Sequence, residues 1–118
     1  MGTLGADGEA AAADWLRRHG YTILAAGFRV RCGEIDLVAE DGPTIVFAEV
    51  KTRTSALYGT PAEAVTSRKR ARIVRAASLY LRSAGWGERS CRFDVLEVVP
   101  VGSGWRVTHL PDAFRPGD

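Results

Sequence analysis

Two acidic residues expected to face each other across a tight hairpin constrain this chain more than any other feature. Residues 33–53 read GEIDLVAEDGPTIVFAEVKTR, two alternating apolar runs on either side of Asp41-Gly42-Pro43. A period of two marks strands, and the Asp-Gly-Pro cluster supplies turn chemistry. Ile35, Leu37 and Ala39 are expected on one face of the first strand, and Val46, Ala48 and Val50 on one face of the second. With a loop from Asp41 to Thr44, Glu40 opposes Ile45, Val38 opposes Phe47 and Asp36 opposes Glu49. Directly opposite side chains share a face with Cβ atoms about 4.5–5.5 Å apart, and like charges there are destabilising. A shared proton, a neighbouring Lys or Arg, or a bound divalent cation relieves such a pair. Lys51, two residues beyond Glu49, projects from the same face and in this register opposes Glu34. The same charges also suit a solvated face with ordinary cross-strand ion pairs, so the rest of the chain has to decide.

At 118 residues the chain is expected to be a single domain over residues 1–118 with a modest core. A net charge of +2 is too small to define a nucleic-acid binder, so the distribution of charge matters more than its total. Cys32 and Cys91 lack a metal-ligand spacing and follow no secretory signal, which leaves two buried or half-buried free thiols. Asp7, Glu9, Asp14 and Arg17 stand where a signal peptide needs an apolar run. No stretch reaches transmembrane length, so the expectation is a cytoplasmic protein without a membrane partner.

Along the chain, residues 6–19 read as an alanine-rich helix with acids in its first turn, bases in its last and Gly20 as the stop. Glu9, Ala12, Ala13 and Leu16 fall on one face, which places Glu9 in line with the core stripe. A glutamate there also complements the helix dipole. His19 reads as a dipole partner and not a ligand. Tyr21 to Arg31 is expected as a strand, with Ala26-Gly27 a weak spot or bulge. Its Arg29 and Arg31 are placed to meet phosphate or to pair with Glu34. Thr52 to Val65 is a long connection through Gly59 and Pro61, a type that often borders a functional site, and Tyr58, Ala62, Ala64 and Val65 suggest partial packing.

Residues 67–83 form the clearest helix, capped by Thr66 or Ser67 and stopped by Gly85. Ile73, Val74, Ala77, Tyr80 and Leu81 make its core stripe. Arg68, Arg72, Arg75 and Arg82 make one basic face in a helix without an acidic residue, so an anionic partner is the simplest reason for it. Cys91 to Val99 reads as a strand ended by Pro100. Trp105 to Leu110 follows as an edge strand, and the tail from Pro111 is irregular, anchored by Phe114. The order is α-β-β-β-α-β-β. The step from the third strand through the long helix is a parallel, right-handed crossover. The fold class is therefore α/β: an antiparallel meander plus one parallel crossover in a mixed sheet flanked by helices.

With Glu9, Asp36 and Glu49-Val50-Lys51 in this order, the chain resembles the PD-(D/E)xK, or restriction-endonuclease-like, superfamily. More closely it resembles the YraN-like family of small bacterial proteins, through GEIDLVAEDG, FAEVKTR, GTPAEAVTSRKRARI and the closing LPDAF. Ile35 stands where the superfamily motif has its proline, and Arg70 where related nucleases often carry glutamine. The resemblance implies a restriction-endonuclease-like core and a Mg²⁺ (or Mn²⁺) site at Asp36, Glu49 and the Val50 carbonyl. It gives Lys51 the task of orienting the attacking water. Glu9 matches the helix glutamate of archaeal-type Holliday-junction resolvases. Arg29, Arg31, Arg53, Arg68, Lys69, Arg72 and Arg75 would then meet the backbone of DNA, branched DNA included, and a homodimer follows by the same analogy. A non-catalytic nucleic-acid-binding or assembly subunit, and a protein-binding module with a basic helix, are the alternative functions.

Overall fold

Two capped helices and five strands account for residues 4–54 and 65–117, the part of the chain that the computed structural model describes. Helix α1 (Leu4–Arg18) buries Gly8, Ala12, Ala13 and Leu16 on one stripe. Helix α2 (Ser67–Ser83) starts at Thr66, whose side chain accepts the Lys69 N–H, and buries Ile73, Ala76, Ala77 and Leu81. Both helices end in the same pair of bonds. Gly20 N–H reaches Arg17 O and Tyr21 N–H reaches Leu16 O after α1; Gly85 reaches Arg82 and Trp86 reaches Leu81 after α2. This Schellman pairing satisfies the carbonyls that a helix end leaves open.

The strands are β1 (Thr22–Val30), β2 (Gly33–Asp41), β3 (Thr44–Thr52), β4 (Cys91–Val101) and β5 (Gly104–Phe114). They lie side by side in sequence order, with β3 and β4 parallel and every other pair antiparallel. The α/β class, the element order and the single parallel crossover are those expected from the sequence. One face of the sheet packs on α2 through Ile35, Val38, Ile45, Phe47, Phe93 and Val95. The other packs on α1 through Leu37, Ala39, Val46, Ala48, Leu96 and Val98.

Several local expectations change. Asp41 pairs with Thr44, so the hairpin loop is the two residues Gly42-Pro43 and not four; Glu40 opposes Ile45 and Val38 opposes Phe47 as expected, while Asp36 and Glu49 lie beyond the paired positions. Pro100 does not end β4, which runs to Val101 with Pro100 paired to Trp105. The β3 pairing stops at Val98, so no β3 partner there requires the missing proline N–H. The tail is strand as far as Phe114, which is buried against Phe93 with ring centroids 5.2 Å apart. Val74 and Tyr80 only flank the core, and Ala76 enters it. Both cysteines are free, but Cys91 is exposed. Within the connection after Thr52, Val65 is buried, while residues 55–64, with Tyr58, Gly59, Pro61, Ala62 and Ala64, lie outside the described residues.

The departure that matters most is in β2. Ile35 belongs to the α2-side core, whereas Leu37 and Ala39 belong to the α1-side core. Residues two apart on a regular strand share a face, so the alternation breaks at Asp36. Across the ladder, Ala26 pairs with Leu37 and Phe28 with Ile35, which sets Gly27 opposite the break. Gly27 has φ +68°, a conformation open to glycine at little cost. The expected single face for Ile35, Leu37 and Ala39 is therefore split by a kink at Asp36, while the register irregularity of β1 lies between Ile23 and Ala25 and not at the expected Ala26-Gly27.

Candidate functional site

Asp36 sits at the kink, and its side chain takes a backbone role. Paired positions of β2 and β3 run from Asp41–Thr44 to Leu37–Ala48 and stop there. Beyond that point the Asp36 carboxylate accepts the Val50 N–H at 2.8 Å, so a side-chain oxygen satisfies a main-chain donor that the ladder leaves over.

Two further acids meet Asp36. Glu49 lies between Ala48 and Val50, which face α1, and so projects on the α2 side. Its side chain is almost wholly buried and its carboxyl is pushed up to about 8, first by burial, then by the hydrogen bond and charge of Asp36. Lys69 of α2 opposes that shift, with Nζ 3.3 Å from Oε1 of Glu49. Glu9 comes from α1 on the other face. Burial raises its pKa first, with the charges of Asp36 and Glu34 and a hydrogen bond to Asp36 adding to it and Arg29 counteracting. One of the three reliefs open to facing carboxylates, a neighbouring cation, is thus present in Lys69, and the raised pKa of Glu49 favours a second, retention of a proton.

The cation on Glu49 is Lys69, not Lys51. Lys51 lies two residues further along β3, half-buried, and pairs across the parallel ladder with Glu97. Glu34, its expected partner, is bound by Arg29 at 2.9 Å. Beside the acids, a cleft of about 430 Å³ is walled by Arg29, Arg31, Arg68, Lys69 and Arg72, with Glu34 among them. Those are five of the seven basic residues assigned to nucleic acid from the sequence. The other two lie elsewhere. Arg53 forms an ion pair with the buried Glu97 at 3.1 Å, and Arg75 lines a separate depression with Arg70 and Arg115. Arg70 donates to the Val65 carbonyl at 2.9 Å and lies over the Phe114 ring.

Among the described residues, no three His, Cys, Asp or Glu side chains form a group that could hold a metal ion. What the site offers is a carboxylate pair, half-buried Asp36 and buried Glu49, whose mutual repulsion a divalent cation would relieve. Mg²⁺ is commonly held by one or two carboxylates, with water and substrate oxygens completing its shell. The donors fit a partly hydrated Mg²⁺ and not an all-protein cage.

A second charged cluster escaped the sequence reading. Asp94 is fully buried and accepts from Arg92 (2.8 and 3.0 Å) and from the Asp112 N–H (2.9 Å), and it lies 2.7 Å from His109 Nε2. Burial pushes its pKa up, but the bonds from His109, Arg92 and Asp112 outweigh that and hold it below the usual range. Arg92 also reaches Tyr21, tying β4 to the α1–β1 junction. The signal was an Asp inside the apolar run CRFDVLEVV, since a buried charge requires a partner.

The fold and site together define a small α/β protein with a meander-borne carboxylate pair beside a cationic cleft, and with no described helix long and apolar enough to cross a membrane. Residues 8–98 match the model of Uncharacterised protein family UPF0102, and the chain belongs to that family. It is 54% identical over 113 residues to the UPF0102 protein STH1475 of Symbiobacterium thermophilum, covering 95% of this chain and 96% of that one. A UPF0102 protein of Geobacter metallireducens is 48% identical over 96% of this chain and 93% of its own length. One from Alkaliphilus oremlandii is 44% identical, over 94% and 97% respectively. The YraN-like membership expected from the hairpin motifs is this family.

Proposed function

We propose that this UPF0102 protein is a Mg²⁺-dependent endonuclease of the PD-(D/E)xK class that hydrolyses phosphodiester bonds in DNA, branched or otherwise structured DNA included. The observation that supports this best is the Asp36–Glu49 carboxylate pair, with Lys69 3.3 Å from Glu49, next to a cleft walled by five cationic side chains. Asp36 and Glu49, with the Val50 carbonyl, would hold the ion. When bound, Mg²⁺ (or Mn²⁺) supplies a Lewis acid and an acidified water at neutral pH. Lys51, on the face of Glu49, orients the attacking water and offsets negative charge that builds on the phosphorus oxygens. Arg31, Arg68 and Arg72 hold backbone phosphates, a contact that is sequence-independent and sensitive to salt. Incubation of junction, flap and plain duplex substrates with Mg²⁺ or Mn²⁺ tests the proposal. Cleavage is expected from wild type and not from Asp36→Ala or Glu49→Gln. Wild type that cuts none of them, or variants that cut equally well, would overturn it.

A second reading, a non-catalytic DNA-binding or assembly subunit that keeps the fold, is favoured by Lys69. Its ammonium already supplies Glu49 with a cation, and no third carboxylate completes a metal-binding group among the described residues. That reading expects salt-dependent DNA binding that is lost on substitution of Arg68 and Arg72 and is indifferent to Glu49→Gln.

A further inference from the structure

Lys69 belongs to two sites at once. Its Nζ lies 3.3 Å from Glu49 in the acid cluster, and the same residue lines the cationic cleft with Arg31, Arg68 and Arg72. The two partners are unequal. The Glu49 side chain is 7% exposed and fixed within β3, whereas the Lys69 side chain is 43% exposed. The backbone of Lys69 is pinned at the start of α2 by the 3.2 Å bond from its N–H to Thr66 Oγ1. A flexible four-carbon stem on a fixed pivot, with an acid on one side and open cleft on the other, can exchange partners without any movement of the fold.

We propose that Lys69 is a tethered counter-ion that passes between Glu49 and phosphate groups in the cleft, so that divalent-cation binding and nucleic-acid binding strengthen each other. The inference rests on the reading of Asp36 and Glu49 as cation ligands. An ammonium and a divalent ion on the same carboxylate repel each other at close range, so a cation that enters there expels Lys69. The expelled ammonium lies beside the cleft, where a phosphate is its natural partner. In the other direction, a phosphate that draws Lys69 away leaves the Glu49 charge uncompensated and makes it a better ligand. The coupling is reciprocal by thermodynamic necessity. Lys51 cannot take this part, because it follows Glu49 along β3 opposite Glu97 and does not line the cleft.

The test is Mn²⁺ binding without nucleic acid, read from the electron paramagnetic resonance signal of free Mn²⁺. Wild type, Lys69→Gln, Arg72→Ala and Glu49→Gln are compared. Lys69→Gln is expected to tighten Mn²⁺ binding roughly tenfold, within the usual range of coupling between sites. Arg72→Ala removes a cleft charge whose residue has no ion pair with Glu49, and is expected to change the affinity less than about threefold. Equal effects of the two variants, or none from Lys69→Gln, would overturn the proposal. Anisotropy of a short labelled phosphorothioate oligonucleotide, which resists hydrolysis, supplies the second arm. Mn²⁺ should tighten its binding to wild type and not to Lys69→Gln; equal tightening in both counts against the exchange. If wild type shows no Mn²⁺ binding that Glu49→Gln removes, the metal reading itself fails. If such binding exists but ignores Lys69→Gln, only the present inference falls.

Discussion

Replacing Glu49 with glutamine should make the metal-free protein more stable in alkaline solution while leaving it unchanged in mild acid. The carboxyl is buried and carried from 4.5 to about 8, mainly by loss of water and secondly by Asp36, against the opposing pull of Lys69. In the unfolded chain the group loses its proton near 4.5 and in the folded protein near 8. Between those values the unfolded state is the more ionised, so stability falls as pH rises, by about 1.4 kcal/mol per pH unit from this group. Over the whole window that corresponds to about 5 kcal/mol. Relaxation and water penetration around an ionised buried group discount that figure, so roughly half, about 2–3 kcal/mol, is the difference to look for. Glutamine keeps the size of the side chain and a donor toward Asp36 but cannot ionise. Urea denaturation in EDTA is the assay. At pH 5 the two proteins should unfold at nearly the same midpoint; at pH 8.5 the variant should be the more stable, with a midpoint higher by roughly 1 M urea. Excess Mg²⁺ should close the gap by stabilising ionised Glu49 in wild type only. Parallel pH profiles in EDTA, or a variant that is weaker at both pH values, would mean that Glu49 is an ordinary solvated carboxylate and would refute the reasoning.

Two further substitutions test the frame around the site. A Cβ at Gly33 would lie 2.7 Å from the Arg72 carbonyl oxygen, a backbone atom held within α2. Gly33→Ala should therefore cost about 1–3 kcal/mol in chemical denaturation; Gly87→Ala, with nothing within 4 Å of the added carbon, should be near neutral on this ground. Asp94→Asn strips the charge opposite Arg92 and His109 and should cost about 2–4 kcal/mol near neutral pH. The folded pKa of Asp94 is lowered, so its contribution is present above its unfolded value and is lost as pH falls through the folded one. Acid unfolding of the variant should lack that part of the slope; an unchanged acid profile would show that the network contributes no such stability.

The hairpin register was legible because alternation and turn chemistry agree, and loop closure at Gly42-Pro43 preserved the same pairings as a longer loop. The crossover was legible because a capped, strongly amphipathic helix stood between two strand patterns. Lys69 was not. Its bond to Glu49 spans the whole connection between β3 and α2, and nothing in the local pattern says which of two nearby lysines the carboxylate takes. Nor was the division of the basic residues: Arg75, read onto one face with Arg68 and Arg72, lines a separate depression with Arg70 and Arg115. The pairing of Arg29 with Glu34, one of two options left open, was settled by the β1–β2 register.

The kink at Asp36 explains why the acids meet at all. Glu9 reaches the sheet from α1 on one face, and Glu49 projects toward α2 on the other. On a regular strand Asp36 would belong to one face, and the sheet itself would separate it from the acid on the opposite side. The change of face between Ile35 and Leu37 instead places Asp36 where the β2–β3 pairing ends, with its carboxylate on the Val50 N–H and within the influence of both Glu9 and Glu49. Gly27, with φ +68°, stands opposite in the edge strand. A substitution that straightened this ribbon would spare the core residues yet part Glu9 from Asp36. The break in the apolar alternation at Asp36 is therefore a requirement of a site built from both faces of one sheet, and not an imperfection of the strand.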